Sequence, residues 1–275
     1  EKSRNLMTVR IARLVGLKKL ADNAKNFGIY EDVPEVLSIS LGAAETTLLK
    51  LTNAYCSFVN GGKKVKPILI DRIQDRRGKT IFNAEKRQCL GCEKISYLKK
   101  EVPTLEDNSK QILSPETAHQ VTSLLEGVIK RGTGKKLRNL NLPLAGKTGT
   151  TNNNMDAWFI GFTSNFVVGV YVGFDEPKTL GKYETGAKAA LPIFKKIIKR
   201  NVKKGEALPF KIPQSINIVI VDYDSGKPVN IINKKSIYES FKAKNSTEVD
   251  LENSININTL GAYRTSINKK ILRLY

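Results

Sequence analysis

The sequence predicts an α+β fold in which an antiparallel sheet is flanked by helices. Two strand-like runs, residues 157–163 and 166–174, are joined by Ser164-Asn165, a short polar turn suited to an antiparallel hairpin. Ser114-Pro115-Glu116 predicts a helix start, because it combines an N-cap hydroxyl, a first-turn proline and an acid near the positive end of the helix dipole. Residues 187–203 carry an apolar stripe at helical spacing, which predicts a helix packed on the sheet.

The first 62 residues are predicted to be largely helical. Residues 6–27 form a helix in two pieces, because Gly16 and Gly28 stand where C-terminal caps belong. Residues 45–59 form a second helix, ended by a Gly-Gly pair. Its apolar residues are expected to face inward: Leu48, Leu49, Leu51, Tyr55, Phe58 and Val59.

The character of the chain changes over residues 63–110. Two short strands, 65–73 and 79–82, are predicted on either side of a polar turn at residues 75–78. We interpret residues 63–110 as an insertion that lies on the main domain.

The cysteines argue against a metal site. Cys89 and Cys92 form a C-x-x-C pair, but a structural zinc site needs four ligands, and Cys56 and the single histidine, His119, lack the spacing to complete one. A local disulfide and two free thiols are both compatible with the pair. Cys56 is predicted to be a small core residue, and His119 a non-catalytic residue on a partly exposed helix face.

The second half of the chain supplies the predicted sheet. The helix that begins at Ser114 runs to about Lys130, and strands are predicted at residues 144–150, 157–163 and 166–174. Together with the helix at 187–203, these elements complete the α+β pattern.

The domain boundary is predicted near residue 204. Residues 1–204 form one domain, and residues 205–275 form a C-terminal extension that is partly disordered. One strand is predicted at Ile216–Asp222, and beyond Asn230 the chain is rich in Lys, Asn and Ser, so no element is predicted there.

The chain is strongly basic. Its 46 Lys and Arg against 26 Asp and Glu give a formal net charge of +20. Such an excess permits nucleic acid, anionic lipid or another acidic polymer as a neighbour, but charge spread from end to end is more typical of a solvated surface. We therefore predict no nucleic-acid partner. No apolar run approaches the ~20 residues that span a bilayer.

The motif with the clearest chemistry is Lys147-Thr148-Gly149-Thr150, on a predicted strand. A phosphate-binding loop is excluded, because the glycine it needs five positions before Gly146 is replaced by Asn141. The K-T-G tripeptide instead belongs to the motif set of penicillin-interacting serine enzymes, and Ser3-Arg4-Asn5 fits the second member of that set in its S-x-N form. Taken alone, Ser3 would be an ordinary N-cap of the following helix.

These motifs stand within a longer resemblance. Over residues 1–228 the chain resembles class A, bifunctional penicillin-binding proteins, and the matching stretches follow the family's order. They are Ser3-Arg4-Asn5 with residues 7–10; 41–42 with 45–47; 54–55 with 60–62; Arg131-Gly132-Thr133-Gly134; 144–152; 156–163; 172–175; and 189–194. The resemblance implies a β-lactamase/transpeptidase-like fold and a peptidoglycan D,D-transpeptidase that needs no cofactor.

The implied reaction is acyl transfer at the periplasmic face of the bacterial inner membrane. A serine attacks the penultimate D-alanine carbonyl of a stem peptide, D-alanine leaves, and an amine of a neighbouring stem takes the acyl group. Stem peptides and β-lactams are the implied partners, together with an upstream glycosyltransferase domain and membrane anchor.

The resemblance assigns three catalytic residues. Ser3 relays a proton towards the leaving nitrogen, since a hydroxyl both donates and accepts. Asn5 holds substrate and the lysine of a further motif, and Lys147 supplies positive charge beside the anionic donor peptide.

Three substrate-binding residues follow on the same strand. The Thr148 and Thr150 hydroxyls bind the donor carboxylate. Gly149 leaves room for an extended substrate, and the Thr150 N–H forms half of an oxyanion hole.

The family's nucleophile lies in an S-x-x-K motif upstream of S-x-N. The two S-x-x-K strings here begin at Ser96, in the insertion, and at Ser266, in the tail, and neither has the family's order. We therefore expect no nucleophile in this chain, a missing N-terminal part of the domain, and no activity of the fragment alone. One alternative is a carboxypeptidase or β-lactamase, in which water is the acceptor, but the class A stretches argue against it. The others are an inactive scaffold or a basic binding module derived from such an enzyme, and an insertion that docks a partner in wall synthesis.

Overall fold

The protein is described by a computed structural model that covers residues 1–87, 89–90, 92, 104–203 and 205–243. The chain divides into two compact units, Glu1–Phe210 and Lys211–Tyr275. Each unit is described by itself.

Two helices open the first unit, as predicted. Helix α1 spans Asn5–Val15 and α2 spans Leu17–Phe27. Gly16 separates them with a φ of +95°, and Gly28 ends α2 in the left-handed region with a φ of +74°. Both positions favour glycine because a Cβ destabilises a positive φ.

Helix α3 spans Leu48–Val59 and begins where Thr47 accepts a hydrogen bond from the Lys50 N–H. The predicted inward orientation is wrong for Leu49, which is 64% exposed, whereas Leu48 directs its Cδ1 at Gly169 of the sheet. The buried residues of α3 are Ala54 and Ser57. The sequence also missed a short 3₁₀ helix before it, Leu37–Leu41.

The two ends of residues 63–110, the segment predicted to be an insertion, lie side by side. Lys63 bridges Gln111, and the Lys64 N–H donates to Lys110 O at 2.8 Å. Within it, strand β1 (Arg72–Gln74) pairs antiparallel with β2 (Thr80–Asn83) around the predicted turn. The earlier part of the predicted strand, residues 65–71, is not a strand.

Two further short strands in residues 63–110, β3 (Cys89–Leu90) and β4 (Thr104–Leu105), also pair antiparallel. Cys89 and Cys92 form a disulfide with Cα atoms 5.6 Å apart, so the disulfide alternative holds. Cys56 is half-buried rather than a core residue, and burial raises the pKa of its thiol.

Helix α4 spans Pro115–Lys130 and confirms the predicted start, since the Ser114 hydroxyl accepts the Thr117 N–H. The interpretation of His119 is wrong in one respect: it lies on the buried face of α4. Ala118 and Val128 on the same helix are also buried.

Three antiparallel strands form the sheet that the sequence predicts. They are β5 (Ala145–Thr150), β6 (Ala157–Phe162) and β7 (Val167–Val172), in that spatial order. In the register, Lys147 lies opposite Ile160, and Ile160 lies opposite Gly169. Among the described residues β5 pairs with β6 alone, so it is an edge of this sheet.

Helices cover both faces of this sheet. Helix α5 (Ala190–Asn201) packs on one face, where Phe194 lies 4.7 Å from Phe159 between ring centroids. Helix α3 packs on the other, where a Cβ at Gly169 would lie 2.0 Å from Thr52 Oγ1. The glycine therefore lets a helix approach the strand closely.

The second unit contains a hairpin of β8 (Ile216–Asp222) and β9 (Ser236–Lys242), paired over their whole length. Strand β8 was predicted, and β9 was not. The polar residues in its sequence, S-I-Y-E-S-F-K, gave no strand prediction. The strand forms because β8 provides hydrogen-bond partners along its length. The predicted disorder of the tail beyond residue 243 lies outside the described residues.

We expect Phe194→Ala to destabilise the first unit by about 3–5 kcal/mol, because it empties the contact between α5 and the sheet. The ring is fully buried and packs against Phe159. Urea denaturation followed by circular dichroism measures the change.

The matched control is Ile193→Ala, one residue earlier on the same helix and 44% exposed. It should cost less than about 1 kcal/mol. Equal losses at both positions would show that this core does not hold the unit together.

Candidate active site

The structure brings Ser3 and Lys147 into direct contact, although 144 residues separate them in the chain. The Lys147 ammonium donates one hydrogen bond to Ser3 Oγ and another to Thr148 O at 2.8 Å. Ser3 stands just before α1, and Lys147 lies in the middle of edge strand β5. The two motifs therefore meet in the fold.

The backbone at Ser3 is strained. Its φ of +50° lies in the left-handed region, which costs a residue with a Cβ roughly 1–2 kcal/mol. The N-cap of α1 is Arg4, which makes no capping hydrogen bond through its side chain. Ser3 is thus not an ordinary N-cap: its hydroxyl is directed to Lys147 instead of to the helix.

The segment that carries Ser3 is anchored by the last turn of α4 and the residues that follow it. The Glu1 carboxylate pairs with the Arg131 guanidinium at 2.5 Å, and both side chains are largely shielded from solvent. A Cβ at Gly127 or Gly132 would lie within 1.9 Å or 2.6 Å of Glu1 atoms. The two glycines therefore form the notch in which Glu1 sits.

Burial changes the pKa of Lys147. Removal from water disfavours the charged form, so the pKa of its ammonium is lowered from the ordinary lysine value of 10.5. Its two hydrogen-bond acceptors, Ser3 Oγ and Thr148 O, are uncharged oxygens.

The two threonine hydroxyls of β5 are held by neighbours that sequence reasoning gave no role. The Thr148 and Thr133 hydroxyls share a hydrogen bond of 2.8 Å. Thr150 Oγ1 accepts the Gly186 N–H at 3.0 Å. The R-G-T-G stretch was a signal for Thr133, but no local pattern marks Gly186.

Gly186 lies directly on the strand. A Cβ there would stand 2.4 Å from both Gly149 O and Trp158 O, so only glycine allows the backbone to approach so closely. The approach places the Gly186 N–H against the hydroxyl of Thr150.

The free edge of β5 presents backbone groups. The Thr151 N–H donates to Asp156 O at 3.1 Å, so that pair is hydrogen-bonded. Antiparallel ladders alternate, and Thr150 opposite Ala157 is therefore a non-bonded pair whose N–H points away from β6. A Cβ at Gly149 would lie 3.1 Å from Trp158 Cβ, on the face of the sheet.

Asn5, the remaining predicted site residue, begins α1 and is exposed. The hydrogen bonds of Lys147 go to Ser3 and Thr148 rather than to Asn5. Ser96 and Ser266, which begin the two S-x-x-K strings, lie outside the described residues.

An antiparallel sheet between helices, with K-T-G on its edge strand and S-x-N at the start of a helix, is the arrangement of penicillin-interacting serine enzymes. The family model "Penicillin binding protein transpeptidase domain" matches residues 1–199. The chain belongs to this transpeptidase family.

Curated relatives support the same family. Penicillin-binding protein 1A of Rickettsia prowazekii is 45% identical over 248 residues, which cover 89% of this chain and 31% of the relative. Penicillin-binding protein 1A of Pseudomonas aeruginosa is 31% identical over 272 residues, covering 88% of this chain and 33% of the relative. The chain thus spans about a third of their length.

Solved structures confirm the fold. Penicillin-Binding Protein 1A from Haemophilus influenzae matches with a TM-score of 0.75 and 28% identity, covering 91% of this chain and 40% of that protein. Penicillin-binding protein A from Mycobacterium tuberculosis, in its imipenem acyl-enzyme complex, matches with a TM-score of 0.54 and 22% identity, covering 74% and 46%. The second likeness shows the fold alone.

The lowered pKa of Lys147 predicts a pH-dependent stability. Between that pKa and 10.5 the folded chain binds fewer protons than the unfolded chain, so this residue's contribution to stability rises with pH. The difference in unfolding free energy between wild type and Lys147→Met should shift in favour of wild type as pH rises through this window, by at most about 1.4 kcal/mol per pH unit.

Urea denaturation at a series of pH values measures this difference, and Lys196→Met, on the exposed face of α5, controls for the loss of one positive charge. A difference that stays flat or falls with pH contradicts the assignment.

Proposed function

We propose that this chain contributes the S-x-N and K-T-G half of a peptidoglycan D,D-transpeptidase active site. The reaction is transfer of a stem-peptide acyl group from D-alanine to an amine of a neighbouring stem, through an ester on a serine. The observation that carries the proposal is the hydrogen bond from Lys147 to Ser3 beside the free edge of β5.

In this proposal Ser3 is a proton relay. The Lys147 ammonium donates to Ser3 Oγ, so the hydroxyl keeps its own proton available for a further acceptor. In acylation that acceptor is the leaving nitrogen of D-alanine. Lys147 can replace the proton because burial has already lowered the pKa of its ammonium. Exposed Asn5, two residues further on, binds substrate or the lysine of the S-x-x-K motif.

The threonines bind the terminal carboxylate of the donor. Because Thr150 Oγ1 accepts the Gly186 N–H, its own proton is left to point elsewhere, and a carboxylate is the natural acceptor. When the Thr133 hydroxyl donates to Thr148 Oγ1, the proton of Thr148 is likewise left for the carboxylate. The positive charge of Lys147 adds to the attraction.

The Thr150 N–H at the free edge serves as one oxyanion donor. Such a donor, fixed before the reaction, contributes roughly 3–4 kcal/mol in comparable enzymes. Gly149 allows the substrate to lie along the edge as an added strand.

The attacking serine of the reaction belongs to an S-x-x-K motif, and we propose no residue of this chain for that role. We therefore propose that the chain by itself forms no acyl-enzyme. The transpeptidase part is residues 1–204 with an insertion at 63–110, and residues 205–275 are an extension of it.

In the intact protein this domain works with a glycosyltransferase domain and a membrane anchor, at the periplasmic face of the inner membrane. No helix within the described residues is long and apolar enough to cross a bilayer. Stem peptides and β-lactams are the proposed ligands.

Incubation with a fluorescent penicillin should leave this chain unlabelled after denaturing electrophoresis. Covalent label would contradict the assignment, and peptide mapping would show whether Ser96 or Ser266 carries it.

A chimera tests the positive half of the proposal. The segment of Rickettsia prowazekii penicillin-binding protein 1A that corresponds to residues 1–199 is replaced by this chain's residues. The chimera should be labelled by fluorescent penicillin, and Ser3→Ala or Lys147→Ala should slow labelling by about 10²–10⁴-fold, as for loss of a proton-transfer group.

Lys135→Ala, an exposed lysine after α4, is the matched control and should label normally. A folded chimera that takes no label would favour the inactive scaffold. A chimera in which Lys147→Ala labels at full rate would remove Lys147 from the mechanism.

A further inference from the structure

The insertion exposes an unusual amount of apolar surface. We define the 68–82 hairpin as the apolar run Ile68-Leu69-Ile70, β1, the turn after it, and β2 as far as Phe82. Its six large apolar side chains are all exposed, from 41% at Ile73 to 99% at Leu69. The other four are Ile68, Ile70, Ile81 and Phe82. An apolar cluster of this kind on a protein surface marks an interaction site.

The apolar side chains do not share a single face. Ile73 and Phe82 are cross-strand partners and project from the same side of the ribbon. Ile81 and Phe82 are consecutive in β2 and therefore project from opposite sides of the ribbon. The run Ile68-Leu69-Ile70 before β1 exposes three more side chains. A flat surface of a partner protein would cover the apolar side chains on only one side of the hairpin. A hairpin inserted into a lipid interface has its side chains in contact with lipid on every side.

Cations accompany the apolar groups. Arg72, Arg76, Arg77 and Lys79 are exposed, and within the described part of the chain none of the four forms an ion pair. The nearby Asp75 carboxylate is engaged in the turn, where it accepts the backbone N–H groups of Arg77 at 2.8 Å and Lys79 at 2.9 Å. The four cations of the hairpin outnumber its two carboxylates, Asp71 and Asp75, so it combines apolar side chains with a net formal charge of +2.

We propose that the 68–82 hairpin binds the surface of a bilayer that contains anionic lipids. Its apolar side chains enter the boundary between headgroups and acyl chains, and its arginines and lysine contact lipid phosphates. Anionic lipid is the occupant that matches both features, since it offers negative charge and an apolar layer at the same place. This binding does not depend on the transpeptidase chemistry.

Sedimentation with vesicles tests the proposal on the full chain. Vesicles of phosphatidylcholine alone are compared with vesicles in which part of the lipid is phosphatidylglycerol. We expect binding to the anionic vesicles that weakens as salt is added. Arg76→Gln/Arg77→Gln/Lys79→Gln should weaken it on the order of a hundredfold, from roughly fivefold for each cation near an anionic surface.

The apolar contribution is tested separately. Leu69→Ser/Ile81→Ser should weaken binding at least about tenfold while the net charge is unchanged. Both side chains are exposed, so the variants are expected to stay folded, which circular dichroism checks.

Two controls remove the same groups elsewhere. Lys196→Gln/Lys199→Gln/Arg200→Gln on α5 removes three exposed charges, and Ile231→Ser/Ile232→Ser removes two exposed isoleucines in the second unit. Both should bind like wild type. If the controls lose as much binding as the hairpin variants, or if the chain binds neither kind of vesicle, the proposal is wrong. The second result would leave a protein partner as the hairpin's occupant.

Discussion

The hydrogen bond between Lys147 and Ser3 joins the start of the first helix to the edge strand of the sheet, and the rest of the first unit positions these two groups. Helices α3 and α5 fix the sheet from its two faces. Glu1 in its notch between Gly127 and Gly132 fixes the serine segment. The contact thus depends on packing at several distant places.

The site contains two unfavourable local features. Lys147 is a desolvated cation whose hydrogen-bond acceptors are neutral, and Ser3 has a backbone conformation that suits glycine better. Neither feature stabilises the fold by itself, and the surrounding packing over-determines both. This is the pattern expected where a protein sacrifices some stability for chemistry.

Particular residues show how far sequence reasoning reached. The cap of α4 at Ser114 and the strand pair β6–β7 were predictable, because capping and hairpin signals act over a few residues. The inward orientation of Leu49 in α3 was predicted wrongly, since periodicity does not reveal which face meets a neighbour. Strand β9 was not predicted, because its polar sequence becomes a strand only beside β8. The buried position of His119 was not predicted either, because it depends on the elements that pack against α4.

The sequence by itself determined the family, the α+β class and the motifs, because these are recorded in short runs of residues and in their order along the chain. Only the tertiary structure decided what those motifs touch. It directed the Ser3 hydroxyl to Lys147, assigned Thr133 and Gly186 to the threonines of the edge strand, and placed Glu1 against Arg131. Each of these contacts joins residues at least 15 positions apart, and such distances follow from the packing of whole elements, which local propensity does not encode.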